Sequence, residues 1–106
     1  MKKGSVILIP FPFTDLKGSK IRPAIVLYSN ERDVTISFIT SEIKWKTKHD
    51  ISILPSHDNG LKVPSLIRVS KIATINTNLV LGELGELSDA EIMQLDENLK
   101  ELLQIK

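Results

Sequence analysis

A mainly β domain closed by one C-terminal helix is the fold class this chain predicts, on three observations. Short β-branched, apolar runs recur along most of its length, clusters of Gly, Pro, Asn and Asp separate them, and one capped stretch of helical periodicity comes last. No repeat, linker or low-complexity tract interrupts the 106 residues, so residues 1–106 are expected to form one domain of antiparallel strands and a helix.

The first strand is Val6-Ile7-Leu8-Ile9, apolar throughout and therefore expected to be buried on both faces. Proline has no N–H for a ladder, so Pro10-Phe11-Pro12-Phe13 is expected to leave the sheet as a stiff arm displaying its rings. Those rings can pack on the core or stack on a base. Residues 14–20 are polar and contain Gly18, as a loop requires. At Arg22-Pro23 the proline pushes the arginine toward extended geometry at the mouth of a second strand, Ala24 to about Ser29. Arg22 is thus a well-aimed cation, with Ser19 and Lys20 just before it in a small, basic stretch suited to close approach of a polyanion.

Asn30 to Asp33 is a polar turn into Val34-Thr35-Ile36-Ser37-Phe38-Ile39-Thr40, whose alternation predicts a half-buried strand of a hairpin. Next, three lysines alternate around the only tryptophan in Lys44-Trp45-Lys46-Thr47-Lys48. Trp45 can stack on a base while Lys44 and Lys46 bind phosphates, or it can fold back onto the core. His49 to Leu54 resumes alternation, and Pro55 to Gly60 is a second loop. Val63 to Val69 and Ile72 to Asn76 are strand material with a bend or bulge at Ser70-Lys71, and Leu79 to Leu87 is a last extended piece. Ser88 with Glu91 makes a capping box, Leu87 can staple onto Ile92, and the stripe Ile92, Leu95, Leu99, Leu102, Leu103 carries the helix to about Gln104.

Composition excludes several functions. Lys and Arg number 14 against 13 acids, a net charge of +1, so a polyanion site must come from local clustering; the lysines gather in the first two thirds and the acids in the last. Without cysteine there are no disulfides and no thiolate chemistry, which is compatible with a cytoplasmic protein. No apolar run approaches the ~20 residues that span a bilayer. Neither a phosphate loop nor a dinucleotide fingerprint nor a nucleophile elbow is present, and His49 and His57 lack metal-ligand spacing. Metal-free, cofactor-free chemistry on a phosphate is what Arg22, Ser19, Lys20, Thr40 and Ser41 suit best, because charge placed against a developing anion does most of that catalysis.

The run Gly4-Ser5-Val6-Ile7-Leu8-Ile9-Pro10-Phe11-Pro12-Phe13-Thr14-Asp15, followed by Gly18-Ser19-Lys20-Ile21-Arg22-Pro23-Ala24-Ile25-Val26-Leu27, resembles the opening of the MazF/PemK family of bacterial toxins. The likeness continues through Ile39-Thr40-Ser41 and Pro64 to Ile75, and departs at Ser5, where the family usually carries an acid. It implies a compact SH3-like (CcdB/MazF-like) antiparallel barrel that forms a homodimer, cleaves single-stranded RNA without metal, and is neutralised by a cognate antitoxin filling the RNA groove. Arg22 and Thr40 fall on the family's arginine and threonine. Strand parity puts Thr40 in phase with Val34, Ile36 and Phe38 and Ser41 in phase with Thr35 and Ser37, so either hydroxyl can be the partner of Arg22. The resemblance leaves the general acid unassigned.

Overall fold

The alternating and β-branched runs do form strands, and they pair into one antiparallel sheet. The computed structural model describes residues 1–12 and 20–106. Six strands, β1 (Ser5–Phe11), β2 (Lys20–Ser29), β3 (Asp33–Thr40), β4 (Ile51–Ile53), β5 (Ser65–Asn76) and β6 (Gly82–Glu86), follow the order β4-β5-β3-β2-β1-β6 and curl into a half-barrel. One-turn 3-10 helices stand at Ile43–Trp45 and Thr77–Leu79, and the helix α1 (Asp89–Leu103) ends the fold.

Both faces of the sheet are covered. Val6, Ile25, Ile39, Ile67 and Val69 form one core cluster with Leu95 of α1, and Ile7, Ile9, Ala24, Val26, Val34, Ile36 and Ile75 form a second on the other face. This is why β3 is not the half-exposed strand its alternation suggests: Ser37, on what looks like the polar face, is fully buried. Its hydroxyl donates to the Val69 carbonyl at 3.1 Å. That carbonyl is freed by a break in register, since Ser37 pairs with Ile72 but Phe38 pairs with Arg68, leaving Val69, Ser70 and Lys71 as a bulge. The bend expected at Ser70-Lys71 is therefore real, within one continuous strand.

Three further boundaries differ from expectation. Strand β1 continues through Pro10 and Phe11, opposite Ile21 and Lys20, rather than leaving the sheet at Pro10. The reason is local: β6 pairs with β1 only as far as Leu8, whose carbonyl accepts from Leu81 N–H, so by strand alternation Pro10 turns its nitrogen to a side with no paired strand among the described residues. The peptide bond after Phe11 is cis. Strand β2 starts at Lys20, so Arg22 and Pro23 lie inside it, opposite Ile9 and Leu8. Strand β4 is only Ile51–Ile53, because Asp50 is drawn into a turn with Thr47.

The helix behaves as expected. Ser88 Oγ accepts from Glu91 N–H at 3.2 Å and Glu91 Oε1 accepts from Ser88 N–H at 2.8 Å. Ile92, Leu95, Leu99 and Leu102 pack on the first cluster, whereas Leu103, expected in the stripe, is exposed as the helix unwinds at Gln104, whose φ is 57°.

The half-barrel's edges are bridged by a loop. After β4 the chain folds around Asn59, a fully buried amide that accepts from Ser56 N–H and Leu61 N–H and donates to the Leu54 carbonyl, so no polar atom of that side chain is stranded. The loop then lies on β6, where Glu86 N–H donates to the Asp58 carbonyl at 2.8 Å. Gly60 (φ 70°) and Gly85 make this approach possible: a Cβ on Gly60 would strike Leu84, and one on Gly85 would strike the Asp58 carbonyl.

Candidate functional site

Where β2 begins and β3 ends, the sheet opens into a groove of about 670 Å³. Its described lining includes Phe11 of β1, Arg22 and Pro23 of β2, Phe38 to Glu42 at the end of β3, Gly60 to Val63 of the bridging loop, and Ser65, Arg68 and Lys71 of β5.

Pairing decides which side chains share a wall. Ala24 faces Phe38 across β2 and β3, and that register continued by two residues sets Arg22 opposite Thr40. Opposed residues project from the same side of a sheet, so Arg22 and Thr40 stand together on the Ile36 and Phe38 face. Thr40 needs no twist to meet Arg22, because Arg22 is itself in phase with the apolar Ala24 and Val26. Ser41 also lines the groove, one residue past the strand.

The two side chains are prepared differently. Arg22 is exposed, and none of its guanidinium nitrogens has a protein partner among the described residues. Pro23 fixes the backbone behind it. Thr40 is partly buried, and its Oγ1 accepts from Glu42 N–H at 3.1 Å. A hydroxyl whose oxygen is already bonded retains its proton for another acceptor. Phe11 and Phe38 meet edge to face with ring centroids 5.4 Å apart, so part of the aromatic arm does pack, while Phe11 remains 46% exposed at the rim.

Charge in the groove is mostly positive. Arg22, Lys62, Arg68 and Lys71 line it, against Glu42 as the carboxylate among the described lining residues. Arg68 is anchored: its Nε lies 3.1 Å from Oδ2 of Asp50, a carboxylate with no exposed surface that also accepts from Thr47 N–H at 2.9 Å. Among the described residues no cluster of three His, Asp or Glu side chains is arranged to hold a metal ion.

Other residues singled out from the sequence lie elsewhere. Lys20 is exposed at the start of β2 and does not line the groove, and Ser19 falls outside the described residues. Trp45 does not fold back onto the core; it is 66% exposed, with Lys44 Nζ 5.4 Å over its ring. Lys46 donates to Ser52 Oγ at 3.1 Å beside a smaller hollow shared with Gln94 and Asn98. These three therefore form a separate patch rather than part of the groove wall. Ser5, at the family's usual acid position, is buried, and its Oγ accepts from Lys2 N–H at 2.9 Å. What sequence reasoning missed is the far wall: Lys62, Arg68 and Lys71, with Asp50 behind. The available signal was an arginine set inside the apolar run Leu66-Ile67-Arg68-Val69.

Residues 2–103 match the family described as PemK-like, MazF-like toxin of type II toxin-antitoxin system. Among solved structures, the chain is similar to an endoribonuclease in complex with its cognate antitoxin from a mycobacterial species, with a TM-score of 0.78, 18% identity, and 100% of this chain and 97% of that one covered. Mycobacterium tuberculosis toxin MazF-mt6 gives 0.78 at 17% identity over 96% and 98% of the two chains. MazF from Deinococcus radiodurans gives 0.75 at 18% over 99% and 97%. Among curated protein sequences none matches.

Proposed function

Because the chain belongs to the PemK-like, MazF-like toxin family of type II toxin-antitoxin systems, we propose that it is a metal-independent, sequence-selective endoribonuclease that cuts single-stranded RNA. The observation that carries this reading is that Arg22 and Thr40 both line one positively charged groove. In the proposed reaction the ribose 2′-oxygen loses its proton and bonds to the adjacent phosphorus. The bond from phosphorus to the 5′-oxygen breaks, that oxygen takes up a proton, and the products are a cyclic phosphate and a 5′-hydroxyl. Negative charge builds on the non-bridging oxygens as the phosphorus becomes five-coordinate. Arg22 answers that charge with a planar, permanently protonated fork, and Thr40 donates its spare proton to one of the same oxygens. A guanidinium is a poor base at neutral pH, so the main role of Arg22 is charge stabilisation.

Similar structures include a MazE-MazF assembly from Deinococcus radiodurans. By analogy this chain acts in the cytoplasm as a homodimer, and a cognate antitoxin laid in the groove blocks RNA from Arg22.

The test is cleavage of an unstructured RNA by the purified protein in EDTA, with mapping of the new 5′-ends. Arg22→Ala should remove cleavage, at least a hundredfold, while the circular dichroism spectrum and melting temperature stay near wild type. Undiminished cutting by the variant would sink the role of Arg22. Tight RNA binding with the substrate left intact by the wild type would point instead to a non-catalytic module.

A further inference from the structure

Arg22 and Thr40 account for one phosphate, yet the groove continues past Phe38 to β5. There Arg68 pairs with Phe38 across β3 and β5, so it projects from the same face as Thr40 and Arg22. The bulge at Val69 to Lys71 brings this about; without it, the register that pairs Ser37 with Ile72 would set Lys71 opposite Phe38. Two strand spacings and two residues of rise put the Arg68 and Arg22 Cα atoms about 12 Å apart, with Phe38 between their strands.

Arg68 is held unlike a surface cation. Asp50 has no exposed surface; Arg68 Nε is ion-paired 3.1 Å from its Oδ2, Thr47 N–H donates to the same oxygen, and Oδ1 has no hydrogen-bond partner among the described residues. Leaving would strand a buried carboxylate, so the arginine stays. The carboxylate sits on the Nε side. Both terminal nitrogens are without a protein partner among the described residues, and the side chain is 23% exposed at the groove wall. An arginine tied on one edge and open on the other is a preorganised fork for a phosphate. Lys62 and Lys71 line the same groove, so the open edge of Arg68 lies in positively charged surroundings.

We propose that Arg68, positioned by the buried Asp50, grips a second phosphodiester of the same RNA strand, beside the one addressed by Arg22 and Thr40. This rests on the RNA-cleaving reading above and assigns what holds the strand in register over the cleavage centre. Asp50 is a positioning residue and touches no substrate.

The test compares wild type with Arg68→Lys and with the double variant Asp50→Asn plus Arg68→Met, in which no charge is left buried alone. Binding of a 2′-O-methyl oligonucleotide of about ten residues is followed by fluorescence anisotropy across a salt series, and cleavage of the matching RNA gives kcat and KM. The double variant should bind about tenfold more weakly, with its log Kd against log salt slope flatter by about 0.7, the share of one single-strand phosphate contact. KM should rise by a similar factor while kcat falls no more than about threefold. Arg68→Lys, which keeps the charge without the fork, should fall between. Wild-type affinity and slope in the double variant would overturn the proposal. So would a loss of kcat and melting temperature with an unchanged slope, the mark of an ion pair that only supports the fold. Failure of the wild type itself to bind or cut RNA would instead bring down the nuclease reading.

Discussion

Thr40 sits among apolar residues by strand parity, and parity alone cannot choose between it and Ser41. The choice depends on which way Arg22 faces, which is set by the pairing of β2 with β3 and so leaves no trace in either strand's own pattern. Once paired, both polar groups stand at the end of the Val26 and Ile36 face. Thr40→Val preserves shape and removes the hydroxyl, so single-turnover cleavage should fall about a hundredfold, the scale of one lost donor to a developing anion. Ser41→Ala should cost less than tenfold in the same assay, and a larger loss there than at Thr40 would reverse the assignment. The lysines around Trp45 teach the opposite lesson. Their spacing suits RNA binding, but Lys44 lies over the Trp45 ring and Lys46 reaches Ser52, away from the groove. Local composition cannot reveal where a patch sits relative to a cleft.

At the level of the element, the helix was legible almost to the residue because its signals are local. A cap, a box and a stripe lie within one run, Ser88 to Leu103, and the structure meets the cap and the box in full and the stripe as far as Leu102. Ser88→Ala should cost about 1 kcal/mol in urea unfolding, since the Glu91 N–H loses its acceptor at the first turn. The bulge in β5 was half legible. Ser70-Lys71 signals a break in apolar phase, but that the break moves Arg68 into line with Phe38 follows only from the partner strand. Likewise the retention of Pro10 in β1 depends on where β6 stops, a fact of a segment some seventy residues later in the chain.

For the molecule as a whole, strand content, the C-terminal helix and the family resemblance were readable, and the closure of the half-barrel was not. Closure is a meeting of backbones, Asp58 to Gly60 against Leu84 to Glu86, organised by the buried Asn59 amide. A sequence shows this only as a missing side chain at each of two distant glycines. Gly85→Ala should lower stability by about 2 kcal/mol, because the new methyl has no room against the Asp58 carbonyl and neither backbone can yield cheaply. Thermal unfolding would register it, and a melting temperature within a degree of wild type would show the seam to be looser than drawn.

That seam also ties the groove to the order of folding. The wall from Gly60 to Val63 rests on β6, and among the described strands β6 pairs with β1 alone. Before β6 docks, β1 to β5 can already pair, Arg22 and Thr40 included, yet the loop that walls their groove has nothing to lie on. The groove is therefore complete only once β6 has docked on β1, a pairing between stretches far apart in sequence, so its wall is among the later parts of the fold to form.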